Sequence, residues 1–161
     1  MLKIKNRTIL NLILLFSIFS LLFAYYVQYV LGHEPCNLCL IERIPYIFTV
    51  LIITINIIIK KFEKIIFFIL AIIFLLTAFL SFYHFGIEQG FFQESMVCNL
   101  TNETDNPSKE EILKLLKDKT ISCKDVSFRI FGLSLATINT LLSLFISIIN
   151  FKSFFNYEKN K

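Results

Sequence analysis

Four long apolar runs leave this chain few ways to fold. Thr8–Leu31, Ile44–Ile59, Ile65–Phe85 and Phe128–Phe151 contain a single Lys, Arg, Asp or Glu between them, Arg129. A bilayer-spanning helix needs about 20 apolar residues. Three runs meet that outright, and the second meets it if its helix begins near Pro35. Hydrophobic residues make up 56% of the 161 residues and the mean hydropathy is +0.70, more apolar surface than a soluble domain of this length can hide. The expected fold is an all-α membrane protein, one domain over residues 1–161. It is a four-transmembrane-helix bundle with spans at about 8–31, 35–59, 65–85 and 128–151. The first run has a basic start but is too long for a signal peptide, with no clear small-x-small cleavage site, so it reads as a retained helix.

Lys and Arg in short loops set orientation. Lys3, Lys5 and Arg7 precede the first span, Lys60, Lys61 and Lys64 lie in the second turn, and Lys152, Lys159 and Lys161 close the chain. With four spans these fall on one side, which should be the cytoplasm. The other side holds a short loop at about 32–43 and a long one at about 86–127. The long loop has eight acidic residues and five lysines, a net −3. Tyr25, Tyr26, Tyr29, Tyr46 and Tyr83 near the outer helix ends fit an interfacial aromatic belt. Within the long loop, Ser108 and Glu111 after Pro107 form a capping box. Ile112, Leu115 and Leu116 then share a face, a short amphipathic helix for the membrane surface or for the rest of the loop.

All four cysteines lie in these two loops, where an oxidising compartment favours pairing or cycling. Cys36 and Cys39 form a C-x-x-C within Pro35-Cys36-Asn37-Leu38-Cys39-Leu40-Ile41-Glu42-Arg43. Pro35 suits the first helical position, putting both thiols in a first turn where the helix dipole favours a thiolate. Arg43 falls four residues after Cys39 on the same face, where a fixed cation would lower the Cys39 pKa and could hold an anionic or carbonyl ligand. Its bland role is to snorkel or to pair with Glu42. Pro45 cannot donate to the carbonyl of Ile41 and should loosen the helix.

Pro-Cys-x-x-Cys-x-x-Glu-Arg at the mouth of the second of four spans resembles the DsbB family. These are bacterial inner-membrane proteins that reoxidise a periplasmic thiol oxidase and pass electrons to quinone. Tyr83-His84-Phe85-Gly86-Ile87-Glu88-Gln89-Gly90, the pair Cys98 and Cys123, and Phe131-Gly132-Leu133-Ser134 resemble further family segments. Residues 99–120 match no motif. The resemblance implies that Cys98 is attacked by the reduced partner, giving a mixed disulfide. Cys123 would resolve it and then exchange with Cys36. Cys39 would be the thiolate facing the quinone, with Arg43 on the quinone oxygen. His84 is a further quinone-site candidate; its alternative is an interfacial histidine with a polar tip in the headgroups. The implied cofactor is ubiquinone or menaquinone and the implied partner a periplasmic, DsbA-like thioredoxin-fold oxidase. Lipid is an expected partner and nucleic acid is not. Both termini are expected in the cytoplasm and the cysteines in the periplasm. The four cysteines allow three connectivities, which the sequence leaves open.

Three other readings compete. A vitamin K epoxide reductase-like quinone reductase also has four helices, a C-x-x-C and a loop pair, but its C-x-x-C lies on a later helix. A zinc site could take His33, Cys36 and Cys39, with His84 or Cys98 fourth. The wide spacing of the second pair and the competition between zinc and disulfide argue against it, and no resident metal is expected. A structural tetraspan protein with inert disulfides would not need a C-x-x-C, because so small a loop adds little stability. Asn99-Leu100-Thr101 and Asn102-Glu103-Thr104 match the glycosylation pattern and read as ordinary polar loop in a bacterial chain.

Overall fold

The computed structural model of the chain describes residues 6–59, 62–93, 98, 122–124, 128–130 and 132–157. The expected capping box at Ser108 and Glu111, the amphipathic helix through Leu115 and Leu116, and the two Asn-x-Thr sequences lie outside the described residues.

The apolar runs form four spans, each long enough to cross a membrane at about 1.5 Å per residue. The first is α1 (Asn6–Tyr29). The second is two pieces, α2 (Asn37–Ile41) and α3 (Ile44–Ile59). The third is α4 (Glu63–Glu88), and the fourth is α5 (Leu135–Phe155). The break inside the second span follows from Pro45. The Ile41 carbonyl has no donor four residues on, so the chain tightens instead, with the Arg43 N–H donating to Leu40 O at 3.2 Å.

The apolar run from Phe128 is helical only from Leu135. Before it, β1 (Arg129–Ile130) pairs antiparallel with β2 (Leu133–Ser134). The turn between them holds Gly132 at φ 84°, a left-handed conformation that glycine adopts without strain. Ser134 then caps α5, its Oγ accepting the Thr137 N–H at 3.2 Å. The Phe131-Gly132-Leu133-Ser134 segment thus contains both a turn residue and a helix cap.

α4 and α5 pack most extensively. Ala71 and Ala78 on α4 and Ser143 and Ser147 on α5 are all buried, and Ser147 Oγ donates to the Ala71 carbonyl at 2.8 Å. Small residues let membrane helices approach closely, which lipid tails cannot drive by hydrophobicity. Leu15, Phe19, Ile58, Phe79 and Phe145 point outward and are exposed, as side chains bathed in lipid should be.

One end of the bundle gathers the start of α1, the start of α4 and the end of α5. There Arg7 lies 3.6 Å from Glu63, and Tyr157 donates to the same carboxylate at 3.3 Å. The cysteines occupy the opposite end. Tyr25, Tyr26 and Tyr29 are exposed there, but Tyr46 is buried inside the bundle, its hydroxyl bonded to Asn139 and near Ser143. Tyr46 therefore belongs to an internal polar network rather than to an interfacial belt.

Candidate functional site

Cys36 does not begin the helix but caps it. Its backbone is extended, and its Sγ accepts the Cys39 N–H at 3.4 Å. Asn37 is then the first residue of α2, two places later than Pro35 suggests. The Cys36 and Cys39 sulfurs stand 3.0 Å apart as free thiols, within reach of forming or breaking a bond. His84, one turn from the end of α4, brings its Nε2 to 3.5 Å from Cys36 Sγ. The Cys36 thiol is drawn down below the ordinary thiol value. Its hydrogen bond with the Cys39 sulfur is the largest cause, His84 adds to it, and burial opposes both. The polar groups thus converge on Cys36 more than on Cys39.

His84 is held from behind. Its Nδ1 lies 2.8 Å from Glu42 Oε1, and the other oxygen of Glu42 accepts from Asn139 Nδ2, also at 2.8 Å. Asn139 donates to Ser81 as well, at 2.7 Å. Glu42, His84 and Ser81 are all buried, and buried polar groups are costly unless paired in this way. The break after α2 permits the arrangement, since Glu42 turns to α4 and α5 while Arg43 turns to α1. Arg43 Nη1 donates to Gln28 at 2.6 Å, and its guanidinium lies 5.1 Å from the Tyr25 ring centre. Among the described residues no ion pair joins Glu42 to Arg43. Glu42 positions His84 instead.

Cys98 and Cys123 form a disulfide. Both are buried and packed with Cys36, Leu38 and Ile87, with Cys39, Leu80 and Tyr83 at the edge. The structure thereby brings all four cysteines into one cluster, the disulfide against the dithiol.

Beside that cluster lies a cavity of about 420 Å³. Phe16, Phe23 and Val27 of α1 and Ile138 and Leu142 of α5 give it apolar walls, while Cys36, Cys39, Arg43, His84 and Cys123 line its polar end. Cavities of roughly 300–1,000 Å³ with apolar walls and a few convergent polar groups are the usual form of small-molecule sites. His33 also faces the cavity, its ring 5.3 Å from that of Phe128, and does not join the Cys36, Cys39 and His84 group.

Sequence reasoning missed Asn139, Gln28 and Glu88. The signal was present: an amide or carboxylate inside or at the rim of an apolar span is costly in lipid and so marks an internal partner.

The family model for disulfide bond formation protein DsbB matches residues 6–152. An uncharacterized protein of Rickettsia prowazekii (strain Madrid E) is 31% identical over 161 residues, covering 98% of this chain and 94% of the relative. No solved structure matches the chain.

Proposed function

Since the chain belongs to the DsbB family of membrane disulfide-bond formation proteins, we propose that it reoxidises a soluble thioredoxin-fold thiol oxidase and delivers the two electrons to a membrane quinone. The observation that carries this reading is the contact between the Cys98–Cys123 disulfide and the Cys36–Cys39 dithiol at the polar end of an apolar cavity.

The cavity fits a quinone head group by volume, apolar walls and its few polar groups. A quinone bound there would supply the oxidant, accepting two electrons and two protons. The remaining chemistry belongs to this chain. A partner thiolate attacks Cys98, the Cys98–Cys123 bond breaks, and Cys123 leaves as the thiolate. With Cys36 and Cys39 oxidised to their own disulfide, Cys123 attacks Cys36, and Cys39 leaves toward the cavity. The partner's second thiol attacks the partner's first sulfur in the mixed disulfide and frees Cys98, which attacks Cys123, re-forms the Cys98–Cys123 bond and releases Cys36, so that the reduced Cys36–Cys39 pair holds the two electrons and two protons for the quinone. Each exchange forms one S–S bond and breaks one. Cys98 is buried in this state, so it must be uncovered before a partner can reach it. The hydrogen bonds that Cys36 receives favour its thiolate once the inner pair is reduced. Arg43 is held by Gln28 and Tyr25 at the cavity wall and would donate to a quinone oxygen.

On this reading the Lys- and Arg-bearing end of the bundle faces the cytoplasm, with both termini, and the cysteines face the periplasm of a bacterial inner membrane.

Quinone reduction driven by a reduced thioredoxin-fold oxidase tests the reading. Wild type should turn over, Cys39→Ser should be inactive, and Arg43→Ala should raise the quinone KM. If wild type stays inactive with several quinones and oxidases while its disulfide resists mild reductant, the chain is a structural tetraspan protein instead.

A further inference from the structure

The reduced inner pair is also built as a metal site. Cys36 Sγ, Cys39 Sγ and His84 Nε2 all lie within 4.8 Å of one another, deep in the bundle end. Zinc holds sulfur at about 2.3 Å and imidazole nitrogen at about 2.0 Å, so tetrahedral ligands stand roughly 3.8 Å apart for two sulfurs and roughly 3.5 Å for sulfur and nitrogen. The observed separations are 3.0 Å between the sulfurs and 3.5 Å from Cys36 Sγ to His84 Nε2. The sulfurs need only part slightly, and the imidazole is already in place.

Two features outside the sulfurs point to a cation. His84 Nδ1 rests on Glu42 at 2.8 Å, the carboxylate–histidine arrangement that fixes the tautomer and ring direction of metal-binding histidines. Glu88, one turn beyond His84 on α4, has one oxygen 3.8 Å from His84 Nε2, and its other oxygen is buried without a hydrogen-bond partner. Soft thiolates, one imidazole and one carboxylate form a donor set for zinc-class ions rather than for magnesium or calcium.

We propose that the Cys36–Cys39 dithiol, with His84 and Glu88, binds one zinc-class divalent cation and that this ion arrests the protein in its reduced state. Binding displaces to solvent the protons still carried by the two sulfurs and by His84 Nε2. A disulfide offers no thiolate, so metal and oxidation exclude each other. The binding half stands apart from the proposed function, and only the arrest rests on it.

The test uses the full chain in detergent or nanodiscs, reduced and then freed of reductant under argon. Titration with Co2+ should give one equivalent with the thiolate charge-transfer bands and intense visible bands of a tetrahedral ion, displaced by Zn2+. Protein oxidised at Cys36 and Cys39 should show neither. His84→Ala and Glu88→Gln should each weaken binding at least about tenfold, Glu42→Gln about 10–100-fold, and His33→Ala should leave it unchanged. Zn2+ should stop quinone reduction and a chelator restore it. Equal binding by the oxidised and reduced forms, or affinity unmoved by both His84→Ala and Glu88→Gln, would overturn the site. Tight binding with undiminished turnover would overturn the arrest. A protein that binds Co2+ as expected but never reduces quinone keeps the site and loses the electron-transfer reading.

Discussion

His84 Nε2 stands 3.5 Å from Cys36 Sγ, and the two residues are 48 positions apart on different spans. The C-x-x-C therefore does not act through its own helix alone. Its first cysteine is completed by a side chain from α4, and that side chain is held in turn by Glu42 from beside the C-x-x-C.

A thiolate at Cys36 follows from this geometry and can be read by pH. The hydrogen bond with the Cys39 sulfur, with His84 adding to it, lowers the Cys36 pKa, so its thiolate forms at lower pH than an ordinary thiol's and persists above that. Reduced protein should show thiolate ultraviolet absorbance that persists well below the usual thiol value of about 8.5. Cys36→Ser should lose that absorbance, and His84→Ala should move the transition to higher pH. A first transition near the ordinary thiol value in wild type would refute the convergence on Cys36.

Glu42 should matter more than its neighbour Arg43 to folding. Glu42→Ala leaves His84 Nδ1 unpartnered in a buried site and Asn139 Nδ2 with Ser81 as its remaining partner, at a cost of about 1–3 kcal/mol for the group left unsatisfied. Arg43→Ala removes a partly exposed cation whose partners, Gln28 and Tyr25, remain on α1. Thermal unfolding in detergent should therefore show a larger loss for Glu42→Ala than for Arg43→Ala.

The α4–α5 seam depends on small residues. Ala71 is buried, and its carbonyl accepts from Ser147 at 2.8 Å. Ala71→Leu would force the helices apart, costing about 1–3 kcal/mol by overpacking. Phe79→Leu, on the lipid-facing side of α4 and 65% exposed, should be close to neutral. The two variants compared by melting temperature check which face of α4 is buried.

The cavity can be filled without touching a thiol. Ala24 lines its wall, and Ala24→Phe should occupy part of the roughly 420 Å³ volume. The expected result is a raised quinone KM, with thiol exchange between the partner and Cys98 unchanged in single-turnover assays without quinone.

The spans, the break at Pro45 and the clustering of cysteines at one end were legible because they rest on local signals: apolar run length, a missing N–H and loop position. The pairing of Glu42 was not. Adjacent Glu and Arg suggest an ion pair, yet the helix break sends their side chains to different neighbours. Tyr46 likewise reads as an interfacial tyrosine until Asn139 and Ser143, more than ninety residues later, are seen to meet it. The cap at Ser134 and the turn at Gly132 could be recognised as a motif, but the hairpin that delays α5 is hidden inside an apolar run. Contacts between distant spans leave no period in the sequence, which is why the network behind His84 is visible only in the fold.

On the proposed function, two electrons pass from a dithiol partner through these cysteines to a quinone. The most direct measurement is the stoichiometry of a single preparation: partner disulfide formed against quinone reduced, with wild type and Cys39→Ser in parallel. Wild type should reduce one quinone for each partner disulfide formed, and Cys39→Ser should reduce none while still forming a mixed disulfide with the partner at Cys98. Partner oxidation without quinone reduction in wild type, or undiminished quinone reduction in Cys39→Ser, would contradict it.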